Sequence, residues 1–360
     1  MKNICMFNST RFWGGGEKSH FEYAINFKRR GFKVLIITSK NSTLYKKCLE
    51  NGIAVYAFNI RNISFLNPFK IQRIKNVLSR NKIDTIFLNS SPDLKLGGLA
   101  AKLATVKNII YMRALAVPIK NRLLNRFLLK KVITHVVANS NDTKKNVLVN
   151  LSKTLNNKDV HVIYRGINFE EWDSSKIVPI NWKSSDDIII GNVGRLVPQK
   201  GQIFLIELAQ ELKKKGLKFQ LLIAGVGPEE KKLTQLIVEN YLTDQVKLIG
   251  FLSDVKSFLN SIDIFVFPSL WEGFGNAMVE AMLEQKPAIA FNLTSNPEII
   301  PDKSLGFLVE YPNLDEFTTI VLNLANNPEQ RKLVGKNASV SIRSRFSFDK
   351  VINEWEQLLN

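Results

Sequence analysis

Short apolar runs alternate with amphipathic stretches along the whole chain. In the first half the runs are Lys2–Phe7, Lys33–Thr38, Ala54–Phe58, Thr85–Leu88, Asn108–Met112, Val132–Ala138 and Val160–Ile163. They are rich in Val, Ile and Phe, the signature of strands buried on both faces. Between them, 17–30, 68–81, 96–104 and 118–131 carry apolar residues at helical spacing. Residues 169–186 have two tryptophans, Pro179 and several serines but no period, which predicts an interdomain linker. A second alternation follows, with strands expected at 188–193, 219–224, 246–249, 262–267, 288–291 and 306–309. Helices are expected at 202–215, 229–239, 254–261, 277–284, 313–327 and 328–358. Strand–helix alternation with short connections predicts two α/β units with parallel sheets. The expected division is 1–175, 176–340, and a helical tail 341–360 that crosses back to the first unit.

Charge separates the two halves. Of 360 residues, 50 are Lys or Arg and 32 Asp or Glu, a net +18. Residues 1–175 hold 30 cations and 10 carboxylates, so +20, and residues 176–360 hold 20 and 22, so −2. A basic half joined to a neutral one implies two different partners. The basic half suits membrane lipid, a phosphorylated glycan or nucleic acid. Its basic stretch 118–131 reads as a helix and places Leu123, Leu124, Phe127 and Leu128 where they can share a face, a pattern suited either to a membrane surface or to a core-facing helix with a solvated basic back. No apolar run is long enough to span a bilayer, and the N-terminus lacks signal-peptide features. Cys5 and Cys48 are the only cysteines, expected as free thiols. Together these predict a cytoplasmic protein, at most peripheral to the inner face of the membrane.

The candidate chemistry centres on Ser269-Leu270-Trp271-Glu272-Gly273-Phe274-Gly275-Asn276-Ala277-Met278-Val279-Glu280. It reads as strand, glycine turn, helix, and such a helix N-terminus favours an anion such as phosphate. Glu272 and Glu280 add carboxylates that accept hydrogen bonds from sugar hydroxyls. Two cations, Arg195 and Lys200, stand in Gly194-Arg195-Leu196-Val197-Pro198-Gln199-Lys200-Gly201, the loop after the second unit's first strand. Loops at the carboxyl ends of parallel strands host ligands, and Arg and Lys suit a diphosphate. Gly225-Val226-Gly227-Pro228 and Gly14-Gly15-Gly16 close two further such turns. Neither is G-x-G-x-x-G, so nothing argues for a nicotinamide cofactor. His20, His135 and His161 have no metal-ligand spacing.

These motifs, in this order, resemble the retaining glycosyltransferases of family 4, the glycogen-synthase-like group with GT-B architecture. The resemblance covers nearly the whole chain, including Asn139-Ser140, Arg165-Gly166-Ile167-Asn168 and Pro297-Glu298. It implies two Rossmann-like domains whose parallel sheets face a central cleft, the first binding the acceptor and the second a nucleoside-diphosphate sugar. It further implies that Arg195 and Lys200 bind the donor diphosphate and that Glu272 contacts the sugar. Phe274, Gly275 and Asn276 would hold hydroxyls and phosphate through backbone amides, and Glu280 the ribose. Gly225, Gly227 and Ile249 would lie near the base, and Gly15 and Gly16 near the phosphates. The implied reaction is sugar transfer to a glycan or lipid-linked acceptor in bacterial surface polysaccharide or lipopolysaccharide synthesis. No metal or other cofactor is expected.

The chain departs from the family pattern in three places. Arg113 stands after a strand where a histidine is common, which suits an acidic or phosphorylated acceptor. Arg165-Gly166 replaces a usual Asn-Gly, and Thr294-Ser295-Asn296 replaces a Gly-rich turn. Two other readings fit parts of the sequence. A sugar-nucleotide epimerase shares the architecture. A non-enzymatic nucleic-acid-binding protein shares the basic charge, although the cations are dispersed over a β-α alternation with no recognised binding module.

Overall fold

The computed structural model describes residues 2–11, 14–155, 159–178, 180–182 and 187–359. Phe12 and Trp13 of the glycine loop, and Pro179 and 183–186 of the aperiodic stretch, lie outside the described residues. The chain forms two compact units, Met1–Gly166 with Asp349–Asn360, and Ile167–Phe348.

Unit 1 is built on a parallel sheet of β1 (Asn3–Asn8), β2 (Lys33–Ser39), β3 (Ala54–Phe58), β4 (Thr85–Leu88), β5 (Asn108–Arg113), β6 (His135–Ala138) and β7 (Val160–Val162). Their order is β3-β2-β1-β4-β5-β6-β7. Cys5 stands beside Leu35 on one side and Ile86 on the other. Strand side chains alternate between faces, and both faces are covered. Phe7, Leu35, Ile86 and Leu88 pack with Ile74, Leu78, Leu94 and Leu96 from the helices Pro68–Arg80 and Ser91–Leu103. On the other face, the Phe87 ring lies 5.9 Å from Phe27 and 5.0 Å from Trp355. Both cysteines are free and buried, and burial pushes the Cys48 thiol up to about 12.

Trp355 belongs to the helix Phe348–Leu359, where Val351, Ile352, Trp355 and Leu359 recur on one buried face. Arg30 ties this helix to unit 1 by ion pairs to Asp349 (2.9 Å) and Glu356 (3.4 Å). The expected helix 328–358 is therefore two helices. The first, Pro328–Arg345, belongs to unit 2, and the break falls at Phe346-Ser347.

Two other elements differ from expectation. Thr43–Glu50, assigned no structure from sequence, is a helix because the Ser42 hydroxyl accepts from the Tyr45 N–H at 3.1 Å. The basic stretch 118–131 starts its helix only at Leu123, and Leu128–Val132 is a π-helical turn. Phe127 and Leu128 both have α-helical dihedrals, so these neighbours point about 100° apart. Leu128 is buried, whereas Leu123 and Phe127 face solvent.

Unit 2 repeats the plan with β8 (Ile188–Val193), β9 (Phe219–Ala224), β10 (Val246–Gly250), β11 (Ile264–Phe267), β12 (Ala288–Phe291) and β13 (Phe307–Val309), ordered β10-β9-β8-β11-β12-β13. The aperiodic segment is fastened to this unit. The Trp172 indole N–H donates to Glu284 at 2.6 Å, Arg343 forks onto Asp173 at 2.7 and 2.9 Å, and Lys256 donates to the carbonyls of Trp172 and Ser175. Ile167 forms an isolated parallel bridge with Ser347, so the chain's entry into unit 2 and its exit from it are hydrogen-bonded side by side.

In unit 1, His20 is fully buried and neither ring nitrogen has a hydrogen-bond partner among the described residues. Burial lowers its pKa to about 4. The unfolded chain then binds a proton that the folded one refuses between pH 6.5 and 4, so stability falls as pH drops through that window. The full effect is about 3 kcal/mol. Denaturant titrations from pH 7 to pH 4 are expected to show a shallower stability loss in His20→Leu than in wild type.

Candidate active site

In unit 2 the strand order reverses between β8 and β11. At such a switch point the two following loops diverge to opposite faces of the sheet and leave a crevice at the carboxyl edge. The loop after β8 carries Arg195 and Lys200, and the loop after β11 carries Glu272. The structure joins them: Lys200 Nζ forms an ion pair with Glu272 Oε1. Both side chains are largely buried, and the ammonium also lies 5.6 Å from the Phe267 ring centroid.

The pairing follows from backbone. Gly201 has φ +65°, and a Cβ there would stand 2.2 Å from the Pro268 carbonyl oxygen. Only glycine lets the two loops approach this closely. Next to that contact, the Leu270 N–H donates to Gln199 O at 2.9 Å, and the Gln199 side-chain amide donates to Trp271 O at 2.6 Å. Behind Glu272, its N–H donates to Thr294 Oγ1 at 3.1 Å, and Ser295 Oγ donates to its carbonyl at 3.4 Å. Sequence reasoning singled out none of Gln199, Thr294 or Ser295 as a support of Glu272, and Gly201 only as the end of its loop.

The remaining donor-side candidates fall around this pair. The helix Asn276–Leu283 begins after Gly275, which has φ +72°. Its first turn presents N–H groups with no intrahelical acceptor. Asn276 and Glu280 lie one turn apart on the same helix face, and Asn276 Oδ1 is buried with no partner among the described residues. Phe274 is buried, with its ring 5.1 Å from that of Phe346, so its side chain anchors the turn that presents its amide. Arg195 is exposed, and its guanidinium makes no hydrogen bond or ion pair among the described residues.

Gly225 and Gly227 have a packing role. A Cβ on Gly225 would meet the Gly194 oxygen at 1.8 Å, and one on Gly227 the Leu196 oxygen at 2.2 Å. These glycines press the loop after β9 against the Arg195 loop. The Gly225 N–H donates to Gly250 O at 2.7 Å, and the β9–β10 register slips between Leu248 and Gly250, leaving Ile249 as a bulge. Bulges re-aim side chains and recur beside active sites.

In unit 1 the reversal lies between β1 and β4. Gly15 and Gly16 open the helix Gly15–Arg29, and a Cβ on Gly16 would stand 2.9 Å from Asn89 Nδ2, beyond the end of β4. Asp93 accepts the N–H groups of Ser9 (2.9 Å) and Ser90 (2.7 Å), and burial outweighs these bonds to push its pKa up to about 6. Arg113 ends β5 and donates to Val117 O at 2.6 Å, holding the loop that follows. Arg165 pairs with Glu22 at 3.0 Å.

Residues 13–171 match the family model described as Glycosyltransferase Family 4, and residues 173–340 the model described as Glycosyl transferases group 1. An uncharacterized glycosyltransferase of Methanocaldococcus jannaschii is 30% identical over 347 residues, covering 94% of this chain and 92% of that protein. The capsular polysaccharide biosynthesis glycosyltransferase CapM of Staphylococcus aureus is 29% identical over 353 residues, covering 92% and 91%. Among solved structures, Anabaena HepE in complex with UDP and glucose superposes with a TM-score of 0.82 at 19% identity, covering 100% of this chain and 99% of that one. That likeness establishes the fold, two Rossmann-like α/β units of the GT-B type.

Gly201→Ala is expected to destabilise unit 2 by more than about 3 kcal/mol, since it combines a left-handed backbone with a clash against main chain. A denaturation midpoint for that unit lowered further than in Gly216→Ala, which carries the left-handed strain (φ +76°) in open space without the clash, checks this.

Proposed function

The chain belongs to the family 4 glycosyltransferases, and from that premise we propose that it transfers a sugar, with retention, from a nucleoside diphosphate to a hydroxyl of a glycan or lipid-linked acceptor. The observation that carries this reading is the Lys200–Glu272 pair across the β8/β11 switch point. A cation suited to diphosphate and a carboxylate suited to sugar hydroxyls are fixed against each other by main-chain packing. Work in polysaccharide synthesis is supported by the similarity to CapM.

In this reading Arg195 and Lys200 bind the diphosphate, and the amides of Phe274, Gly275 and Asn276 cradle phosphate and sugar. Glu272 orients the sugar, and Glu280 takes the ribose. Gly225, Gly227 and Ile249 border the base. The acceptor oxygen forms a bond to the anomeric carbon as that carbon's bond to the diphosphate oxygen breaks. The electron pair leaves with the diphosphate, and the acceptor proton passes to a departing phosphate oxygen on the same face. Charge accumulates on that oxygen, so fixed cations stabilise the transition state more than the ground state. The proposed reaction is metal-independent, with Arg195 and Lys200 supplying the charge that a divalent ion supplies elsewhere. Arg113 is proposed to meet an acidic or phosphorylated part of the acceptor.

Removing one such donor costs roughly 2.7–4 kcal/mol in comparable sites. Lys200→Ala and Arg195→Ala are each expected to lose turnover about a hundredfold or more, measured with chelator present. UDP, GDP, ADP and CMP sugars are screened first by thermal shift to find the donor. Wild-type rates in both variants would refute the assignment. Interconversion of the sugar nucleotide without any acceptor would make the protein an epimerase instead.

We further propose that unit 1 rests on an anionic bilayer surface, where a lipid-linked acceptor would be found. Residues 59–134 contain fifteen Lys or Arg and two aspartates. Both aspartates are occupied by backbone N–H groups, Asp84 by that of Asn3 and Asp93 by those of Ser9 and Ser90. Within this segment Leu66, Phe69 and Leu123 are 69%, 78% and 78% exposed. Lys95 braces the segment that carries Leu66: its ammonium donates to Asn62 at 2.8 Å and lies 5.6 Å from the Phe65 ring. Burial and the nearby Arg122 charge hold its pKa below the usual range. Exposed apolar side chains ringed by cations suit anionic lipid better than a polyanion, which has no use for them. The protein should sediment with vesicles rich in anionic lipid at low salt. A Leu66→Ser/Phe69→Ser/Leu123→Ser variant should sediment less although its charge is unchanged. Indifference to such vesicles, or unaltered binding by that variant, overturns the proposal.

A further inference from the structure

We propose that Thr294 is a positioning residue for Glu272, kept in a strained conformation because its hydroxyl is required there. The inference rests on the reading of Glu272 as the carboxylate that orients the donor sugar. Thr294 has φ +50°, in the left-handed region. For a β-branched residue that conformation is a genuine outlier, and glycine or asparagine would adopt it at lower cost. Threonine is therefore not there to suit the backbone, and what it adds is Oγ1, which accepts the Glu272 N–H at 3.1 Å.

The next residue completes the hold. Ser295, fully buried, donates from Oγ to the Glu272 carbonyl at 3.4 Å. Lys200 takes the carboxylate at Oε1. The N–H, the carbonyl and the side chain of Glu272 are thus each restrained by a different residue. The restraining segment is itself anchored to the end of β12, since the Asn296 side-chain amide donates to Phe291 O at 3.0 Å and the Asn296 N–H to Leu293 O at 3.1 Å. A carboxylate that must meet a sugar within a fraction of an ångström gains from such support. Strain retained beside a reactive group is one sign of a functional constraint.

The test uses the full chain and the sugar nucleotide that gives the largest thermal shift. Thr294→Gly relieves the backbone strain and removes the hydroxyl, and Thr294→Ser keeps the hydroxyl. For Thr294→Gly, kcat is expected to fall about tenfold, the scale of one lost hydrogen bond. Its donor KM should stay within about twofold, and its melting temperature should not fall. Thr294→Ser should retain kcat near wild type. A drop in stability with unchanged kcat would show a purely structural role and overturn the inference, as would equal impairment of the Ser and Gly variants. Glu272→Gln separates the two levels. If it turns over at the wild-type rate, both the reading of Glu272 and this inference fall. If it is inactive while Thr294→Gly is fully active, only the inference falls.

Discussion

The Lys200–Glu272 pair depends on one close approach of main chain to main chain. At Gly201 the first loop of unit 2 lies against the Pro268 carbonyl at a distance no side chain permits. Every nearby feature inherits its position from that contact. Gln199 reaches the backbone of Leu270 and Trp271 because the two loops run side by side. Lys200, one residue before the glycine, has its ammonium carried to Glu272 and over Phe267. The approach is repeated one loop further along, where Gly225 and Gly227 press against Gly194 and Leu196. Three crossover loops of one sheet are thereby packed into a single layer at its carboxyl edge. Electrostatics in this site is thus a product of packing: the charges are set by close backbone contacts between loops.

Much of this was legible in the sequence because it rests on local signals. Each central strand is a short run such as Ile264-Phe265-Val266-Phe267, and parallel strands buried on both faces have few other sequences available. The carboxyl-edge loops were visible as glycine clusters carrying Arg195, Lys200 and Glu272. What escaped was long-range. Nothing near Thr294 announces a contact with Glu272, 22 residues away. The packing role of Gly225 cannot be read without knowing that Gly194 lies across from it. The helix at 43–50 was missed because its single cap, Ser42, sits in an otherwise weak pattern. The apolar residues of the basic stretch do not share one buried face, because neighbours on an α-helix point about 100° apart and Leu128 is buried while Leu123 and Phe127 are exposed. The aperiodic segment 169–186 is held, where it is described, by side-chain hydrogen bonds of Trp172, Asp173 and Lys256 beside the short helix Phe169–Ser174.

The two units divide polarity as well as structure. In unit 2 the site cations are paired or held in a tight loop, and its net charge is near balance. Unit 1 leaves most of its positive charge unmatched along 59–134. Self-repulsion of that kind is tolerable only because the core beneath it is large and continuous, from Phe7 and Ile86 out to Leu128 and Val147. The same core accommodates His20, whose ring nitrogens have no hydrogen-bond partner among the described residues.

Unit 2 is an unbroken stretch, Ile167–Phe348, whereas unit 1 is completed by residues made after it. On the ribosome the usual order, N-terminal domain first, is therefore unavailable. Unit 2 has its whole sequence in hand before unit 1 does. Until the helix bearing Trp355 emerges, the sheet face around Tyr23, Phe27 and Phe87 stays uncovered. The nascent chain thus carries an open hydrophobic surface throughout the synthesis of its second half, a demand on chaperones that the finished fold does not reveal.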